Sequence, residues 1–441
     1  MTRSDVGASM RFMVIERTTR TPVAPRITGL GPDDAVALLD VDRWAFPNPH
    51  FSTEPEAVAE RTSAFEWDRT RGAQLPDLDG VPQLVGINSV YSLDLPVPGG
   101  SVPCGGLTWV GVHPAYRRRG VLTAMIGDQL RAIHERGEPV SALHASEATI
   151  YGRFGYGIAS STLFGDLPRG TELRPVPGAD QVRIRLEHVD PARHADVVGD
   201  CYEAARQQRP GMVSRRSAGH RQHSVADPPR YREGAENLRI LLAEAEDGGP
   251  ARGYALFRRT DTWQDDRAAG VVRIREFVAR DPAAARALWG RLLDLDLTVK
   301  VQLDQRPTDD ALFQLLIDRR AGRINHTDNL WVRVVNLPVA LAARRYCGEL
   351  DVVLEVRDEL CPWNAGRWRL NAGPDHAECA PSSGPAAFAL DVRQLGAAYL
   401  GSVSLTALAA AGLITVSDPD ALAAAARAFS WPVAAYCGWT F

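Results

Sequence analysis

Apolar positions along this chain switch repeatedly between a period of two and a period near 3.6, the mark of strands alternating with helices. The first ordered pattern begins near Thr28. After Gly31 and Pro32, Asp33 can cap a short helix with the apolar face Ala35, Val36, Leu38 and Leu39. Residues 44–67 mix aromatics with acids, and Pro47, Pro49 and Pro55 break them into short pieces. Alternation then predicts strands over 83–93 and 106–112, separated by the turn formers Pro96, Pro98, Gly99 and Gly100. From Val121 the spacing becomes helical through Leu122, Met125, Ile126, Leu130 and Ile133, until Gly137 and Pro139 end it. A strand over 140–145, a helical turn opened by Ser146 and Glu147, and Phe154-Gly155-Tyr156-Gly157 close this unit.

The pattern then partly repeats. Arg174-Pro175-Val176-Pro177-Gly178 reads as a linker. Residues 251–259 and 271–279 look like the two strands again, and Arg280-Asp281-Pro282 leads into a helix over 283–295, where His113-Pro114 led before. The second copy lacks the glycine and the arginine run of the first. Beyond 325 the texture changes, with strands expected at 330–335, 351–356 and 368–371 and Ala/Leu-rich helices at 338–345, 392–399, 404–411 and 419–429. The chain divides into a disordered leader (1–25), a first unit (26–172), a degenerate second unit (180–324) and a third unit (325–441), an α+β fold of mixed α/β units.

Composition narrows the function classes. A net charge of -4 with arginines interleaved among acids makes no basic field, which argues against nucleic acid as a partner. No apolar run approaches the ~20 residues needed to span a bilayer, and no secretory signal is visible, so a cytoplasmic protein without a membrane span is expected. Six irregularly spaced cysteines show no zinc framework, and no metal is expected. They read as reduced thiols, with pairing among the last four left open.

The candidate chemistry starts at Arg117-Arg118-Arg119-Gly120, which follows a strand and opens a helix. Backbone N–H groups at a helix start attract anions. A glycine lets the chain approach a phosphate closely, and arginines add bidentate donors. Strand, Arg-x-x-Gly-x-Leu and amphipathic helix resemble the coenzyme A segment of the GNAT acetyltransferase superfamily. Arg117 and Gly120 match the usual motif, and Leu122 departs from its last small position. The block from Ala142 to Gly157, with His144-Ala145-Ser146-Glu147 and Tyr151-Gly152-Arg153-Phe154-Gly155-Tyr156, closely resembles the enhanced intracellular survival (Eis) type of GNAT protein.

That resemblance implies tandem GNAT-fold domains, the second without its own coenzyme site, followed by a domain similar to sterol carrier proteins. It implies acetyl-CoA as co-substrate, a small-molecule amine as acceptor, and a homohexamer. Carried over position by position, Val110, Gly111 and Val112 align with the splayed strand that bonds pantetheine. Arg118, Arg119, Gly120, Val121, Leu122 and Thr123 align with the pyrophosphate loop, Ser146 and Glu147 with further coenzyme contacts, and Tyr151 with the general acid. The chain ends Tyr436-Cys437-Gly438-Trp439-Thr440-Phe441, too apolar for an ordinary frayed terminus. In Eis-type enzymes the carboxylate of a terminal phenylalanine is the general base, and Phe441 holds that position.

Trp44, Phe46 and Trp109 are candidates to line the acceptor pocket, with Phe51, Phe65 and Trp67 beside them. Asp42, Glu54, Glu56, Glu60, Glu66 and Asp68 give the segment a negative charge that suits a cationic amine. Aminoglycoside-modifying relatives carry an acid before the terminal phenylalanine. Here Thr440 stands there, which shifts the expectation from polycations toward a smaller or more apolar amine. Aminoglycosides, polyamines, lysine side chains and other small amines all remain open. His220-Arg221-Gln222-His223 has the spacing of a metal pair but no carboxylate partner, and reads as surface. The alternative to an enzyme is a non-catalytic binder of acyl-CoA or another hydrophobic ligand, using the carrier-like domain.

Overall fold

The computed structural model describes residues 23–47, 52–77, 79–215, 217–245 and 248–441. The expected leader lies outside them except for its last three residues, and so does Phe51. Three large sheets carry the chain, beside a small ribbon of Trp263–Gln264 and Arg267–Ala268. The first has seven strands in the order Arg26–Gly29, Arg71–Pro76, Pro82–Val97, Gly100–Val112, Val140–His144, Leu330–Val334, Gly157–Ile158. The second runs Arg323–Asp328, Ser161–Pro168, Thr298–Pro307, Gly270–Ala279, Gly253–Arg259, Arg239–Ala243, Ile184–His188. The third has five strands, Ala377–Pro381, Gly366–Ala372, Leu350–Arg357, Phe388–Asp391 and Ile414–Val416. Two seven-stranded sheets followed by a smaller five-stranded one agree with the three units that the resemblance implies.

The sheets do not follow the divisions drawn along the sequence. Ser161–Pro168, placed with the first unit, pairs with Thr298–Pro307 in the second sheet. Leu330–Val334, placed with the third, inserts between Val140–His144 and Gly157–Ile158 of the first. Hydrophobic alternation shows that a segment is a strand but not which sheet edge it completes, so this exchange is invisible in sequence.

The central hairpin is longer than alternation predicts. Its strands continue through Pro96 and Pro103, and the turn shrinks to the residues around Pro98 and Gly99. Proline is tolerated because each strand is an edge there. The pairing with Arg71–Pro76 reaches only Asn88, and that with Val140–His144 starts only at Cys104.

The glycines of Phe154-Gly155-Tyr156-Gly157 are explained by packing. Gly155 is left-handed (φ 82°), and a Cβ there would strike the Arg333 guanidinium. That guanidinium is fully buried, donates to Phe154 O at 2.8 Å and pairs with Asp358 at 2.6 Å. Gly157 lies against the backbone of helix Val392–Ala398, where a Cβ would overlap the Arg393 carbonyl. The motif is thus the seam between the first and third domains. The third domain itself is filled. Tyr346, Phe388, Tyr399 and Phe429 are buried, and Arg344 donates to the carbonyls of Tyr399 (2.6 Å) and Phe429 (2.8 Å).

All six cysteines are free thiols. Among the described residues no helix is long and apolar enough to cross a membrane. Gly157→Ala is expected to destabilise the chain by about 2–3 kcal/mol through overpacking against backbone. A thermal melt within about 1 °C of the parent would refute the seam.

Candidate active site

The strand Gly100–Val112 and its parallel neighbour pair only at Cys104–Gly106 and diverge afterwards. On its other side a register shift lies between Ile87 and Ser89. Opposite it, Trp109 takes a left-handed conformation (φ 54°), uncommon for a bulky residue and costing about 1–3 kcal/mol. This bulge turns Val110, Gly111 and Val112 along the opening between the strands. At the end of the strand, His113–Tyr116 makes a tight turn in which the His113 Nδ1 accepts from the Ala115 amide at 3.2 Å.

The loop that follows holds Arg118 (φ 62°) and Gly120 (φ 76°) in left-handed conformations. Gly120 is the N-cap of helix Val121–Glu135 and supplies no side-chain cap, so the first amides of that helix stay free. A Cβ on Gly120 would meet nothing within 4 Å; its φ is what requires glycine. Arg118 and Arg119 are exposed around this amide cluster, and Arg119 lies 5.0 Å over the Tyr116 ring. Free amides, left-handed turns and guanidiniums together fit a pyrophosphate. The second domain keeps the divergence, since Gly270–Ala279 and Thr298–Pro307 pair only up to Arg273. Its helix Pro282–Leu293, however, is capped by Asp281, which accepts from Ala284 at 2.9 Å and pairs with Arg252 at 2.8 Å. A carboxylate of the chain already occupies that anion seat.

Beside the splayed strand lies a chamber of about 900 Å³, lined by Tyr151, Val110, Trp109, Tyr91, Phe46, His220, Trp439, Thr440 and Phe441 among others. Tyr151 and Phe441 therefore share one cavity, together with His144 and Ser146. The Phe441 ring meets His144 edge-on at 5.2 Å and sits over Gly106, where a Cβ would come within 3.1 Å of it. Tyr151 is 8% exposed, and its hydroxyl has no hydrogen-bond partner among the described residues. Burial, reinforced by the Glu147 carboxylate, pushes its phenol up to about 12. Burial likewise pulls His144 down to about 4 and leaves it neutral.

The terminal segment is tied down at several points. Asn329, buried where the first two sheets meet, accepts from the Cys437 amide at 2.8 Å and donates to the Cys437 carbonyl at 2.9 Å. It also donates to Gln305 at 2.7 Å and accepts from the Ser160 hydroxyl at 2.9 Å. The Tyr436 hydroxyl donates to the Gln305 carbonyl at 2.6 Å, and the Gln305 amide donates to Thr440 at 3.2 Å.

The sequence candidates divide in space. Phe46, Trp109, Val110, Ser146, Tyr151, Thr440 and Phe441 line the chamber. Trp44 does not; it is 54% exposed and packs on His113. Phe65 and Trp67 stack behind Trp109. Arg117–Thr123 form the loop and helix start at the mouth of the strand opening, and Glu147 flanks Tyr151. Of the His220/His223 pair, His223 is exposed as expected, but His220 is not surface. His220 is 4% exposed, touches Tyr91 at 5.0 Å and Trp439 at 4.8 Å, and both histidines line the chamber. A helical apolar face with one histidine gives no sign of which cavity it will meet, so only the docking of the second domain on the first shows this role.

These features are those of a known class. Residues 27–159 match the acetyltransferase (GNAT) domain, 211–334 match a second acetyltransferase (GNAT) domain, and 337–438 match the sterol carrier protein domain. The chain is an N-acetyltransferase. It is 44% identical over 352 residues to an N-acetyltransferase of Streptomyces avermitilis, covering 79% of this chain and 85% of that one. It is 35% identical over 359 residues to the N-acetyltransferase Eis of Mycobacterium tuberculosis, covering 79% and 83%. The crystal structure of Eis1 from Mycobacterium abscessus superposes with a TM-score of 0.78 at 33% identity, over 94% of this chain and 100% of that one. The chain belongs to the Eis-like N-acetyltransferases.

Asn329→Ala is expected to cost about 2–4 kcal/mol, because it leaves buried tail groups unsatisfied, and to free the terminus. Carboxypeptidase release of Phe441, slow in the parent and fast in the variant, checks it. Equal release rates would show that this side chain does not hold the tail.

Proposed function

We propose that the chain transfers an acetyl group from acetyl-CoA to a primary amine, with Tyr151 as general acid and the Phe441 carboxylate as general base. The observation that carries this reading is the shared chamber: two residues far apart in sequence line one cavity at the end of the splayed strand. The uncapped helix start at Gly120 with Arg117, Arg118 and Arg119 fits the coenzyme's pyrophosphate. The open edge of Val110–Val112 fits its amide-bearing arm. When bound, acetyl-CoA supplies the activated acyl thioester.

The residues of the chain supply the rest. Backbone N–H groups of the bulged strand polarise the acyl oxygen. The Phe441 carboxylate, directly or through water, takes the proton that the nitrogen loses as the C–N bond forms. Tyr151 protonates the departing sulfur as the C–S bond breaks. The Phe441 ring, held against the His144 and Trp439 rings, fixes the end of the chain beside the chamber and so supports the role. The second domain serves as a wall of the chamber rather than a second coenzyme site, consistent with Asp281 filling its anion seat. The hexamer implied by the resemblance is a matter for light scattering on the purified chain.

Two outcomes are expected. Tyr151→Phe and deletion of Phe441 should each lower kcat by about 10²-fold or more, with acetyl-CoA affinity changed by less than threefold. Turnover unchanged in both would remove the assigned roles. Because burial raises the Tyr151 phenol to about 12, it stays protonated through neutral pH, and kcat should show no alkaline fall from it below about pH 10. Glu147→Gln removes a charge that raises this phenol, and should move any alkaline limb to lower pH. A limb that moves up or stays fixed contradicts the assignment.

A further inference from the structure

In the first domain the parted strands open beside the chamber. In the second domain the corresponding opening is filled by the chain itself. The strands Gly270–Ala279 and Thr298–Pro307 part after Arg273, and between Glu276 and Phe277 on one side and Gln305 and Arg306 on the other a cavity of only about 20 Å³ is left. Two groups fill the space. The Arg306 guanidinium donates to the Phe277 carbonyl at 3.0 Å, and the hydroxyl of Tyr436, from the tail, donates to the Gln305 carbonyl at 2.6 Å. The Tyr436 amide donates to the Pro210 carbonyl at 2.9 Å. Gly211 (φ 94°) lies so close that a Cβ there would come within 3.0 Å of the Tyr436 backbone. The tail thus crosses the second domain before it reaches the first.

A buried ion pair stands beside this crossing. Arg215, 3% exposed, donates to both carboxylate oxygens of Glu276, one of them at 3.1 Å, and Glu276 also accepts from the Tyr254 hydroxyl at 2.9 Å. The Arg215 amide donates to Glu203 at 3.0 Å. Burying such a pair gains little net stability over apolar residues of equal volume. Here the Arg215 Nε is shut from solvent with no hydrogen-bond partner among the described residues, a further cost. What the pair does supply is orientation. Bidentate contact fixes the guanidinium plane, and its central carbon lies 3.8 Å from the Tyr202 ring centre and 5.5 Å from that of Trp439. A guanidinium out of water is attracted to an aromatic face. Trp439 also meets Tyr91 of the first domain, near-parallel at 6.4 Å, and Phe441 at 5.7 Å.

Resting on the assignment of Phe441 as general base, we propose that Arg215, locked by Glu276, is a positioning residue for the transfer: through the Trp439 ring it sets where the last carboxylate of the chain stands relative to Tyr151. Arg215 is not among the residues that line the chamber, so it acts through that ring rather than on the reacting groups. The second domain then does more than wall the chamber. Its parted strands seat the segment that carries the base, with Glu276 on one strand holding Arg215 and Gln305 on the other holding Tyr436 and Thr440.

The test uses the full chain with acetyl-CoA and whichever of spermidine, lysine methyl ester and kanamycin it turns over fastest, read by thiol release. Arg215→Met combined with Glu276→Gln removes both buried charges at once and leaves the Tyr254 hydroxyl an acceptor. It is expected to lower kcat about tenfold or more, with the KM for acetyl-CoA within about threefold of the parent. Arg215→Lys keeps the ion pair but not the planar face. It should lower kcat by an intermediate factor, and decides the matter if the paired variant does not fold. Neither change should lower the rate further in a chain that lacks Phe441, because the carboxylate that Arg215 places is gone. Carboxypeptidase should release Phe441 about threefold faster or more from either variant than from the parent, with thermolysin cleavage elsewhere unchanged. An unchanged kcat, equal losses with and without Phe441, or a fall in kcat with no faster release would overturn the inference and leave the base assignment standing. Turnover indifferent to loss of Phe441 in the parent would instead strike that assignment, and the inference with it.

Discussion

The site depends on one buried amide. Asn329 occupies the point where the strand Arg323–Asp328 of the second sheet gives way to the strand Leu330–Val334 of the first. From there it grips both the N–H and the C=O of Cys437. A buried side-chain amide can satisfy several groups at once only if they are already in place, so this contact requires the two sheets and the tail to be assembled together. Its cost if broken is high for the same reason that it is specific. The peptide groups of Cys437 have no water to turn to.

From that anchor the last residues run to the splayed strand of the first domain. The strand opens because its pairing stops at Gly106, and Gly106 is also where the Phe441 ring rests. Divergence of the sheet and docking of the terminus are thus the same event seen from two sides. The second domain shows the contrast: the strands diverge, but Asp281 caps the helix and pairs with Arg252, leaving no seat for an outside anion. Two similar folds thus differ at one helix start, uncapped at Gly120 in the first and capped by Asp281 in the second.

The charges around the chamber are not those that local composition suggests. A sequence rich in acids between Asp42 and Asp68 suggests a cation trap. Each acid has instead found a guanidinium, a hydroxyl and amide, or solvent, and the histidines are held neutral by burial. Local composition measures how much charge is present, whereas the field in a cavity depends on which charges remain unpaired.

The sequence alone determined the mixed α+β class, the tandem repeat with its degenerate second copy, and the helix opening at Val121 behind a glycine. It did so because hydrophobic period and turn chemistry are local properties of a few neighbouring residues. Tyr151 and Phe441 were legible as candidates from the motif around one and the apolar end of the other. Only the tertiary structure decided that strands would be exchanged between units, that Trp44 faces away while His220 faces in, and that Asp42 and Glu60 are paired with arginines. Those outcomes rest on tertiary contacts, several between residues more than a hundred positions apart, such as Glu60 with Arg230 and Asn329 with Cys437, whose partners no local pattern specifies.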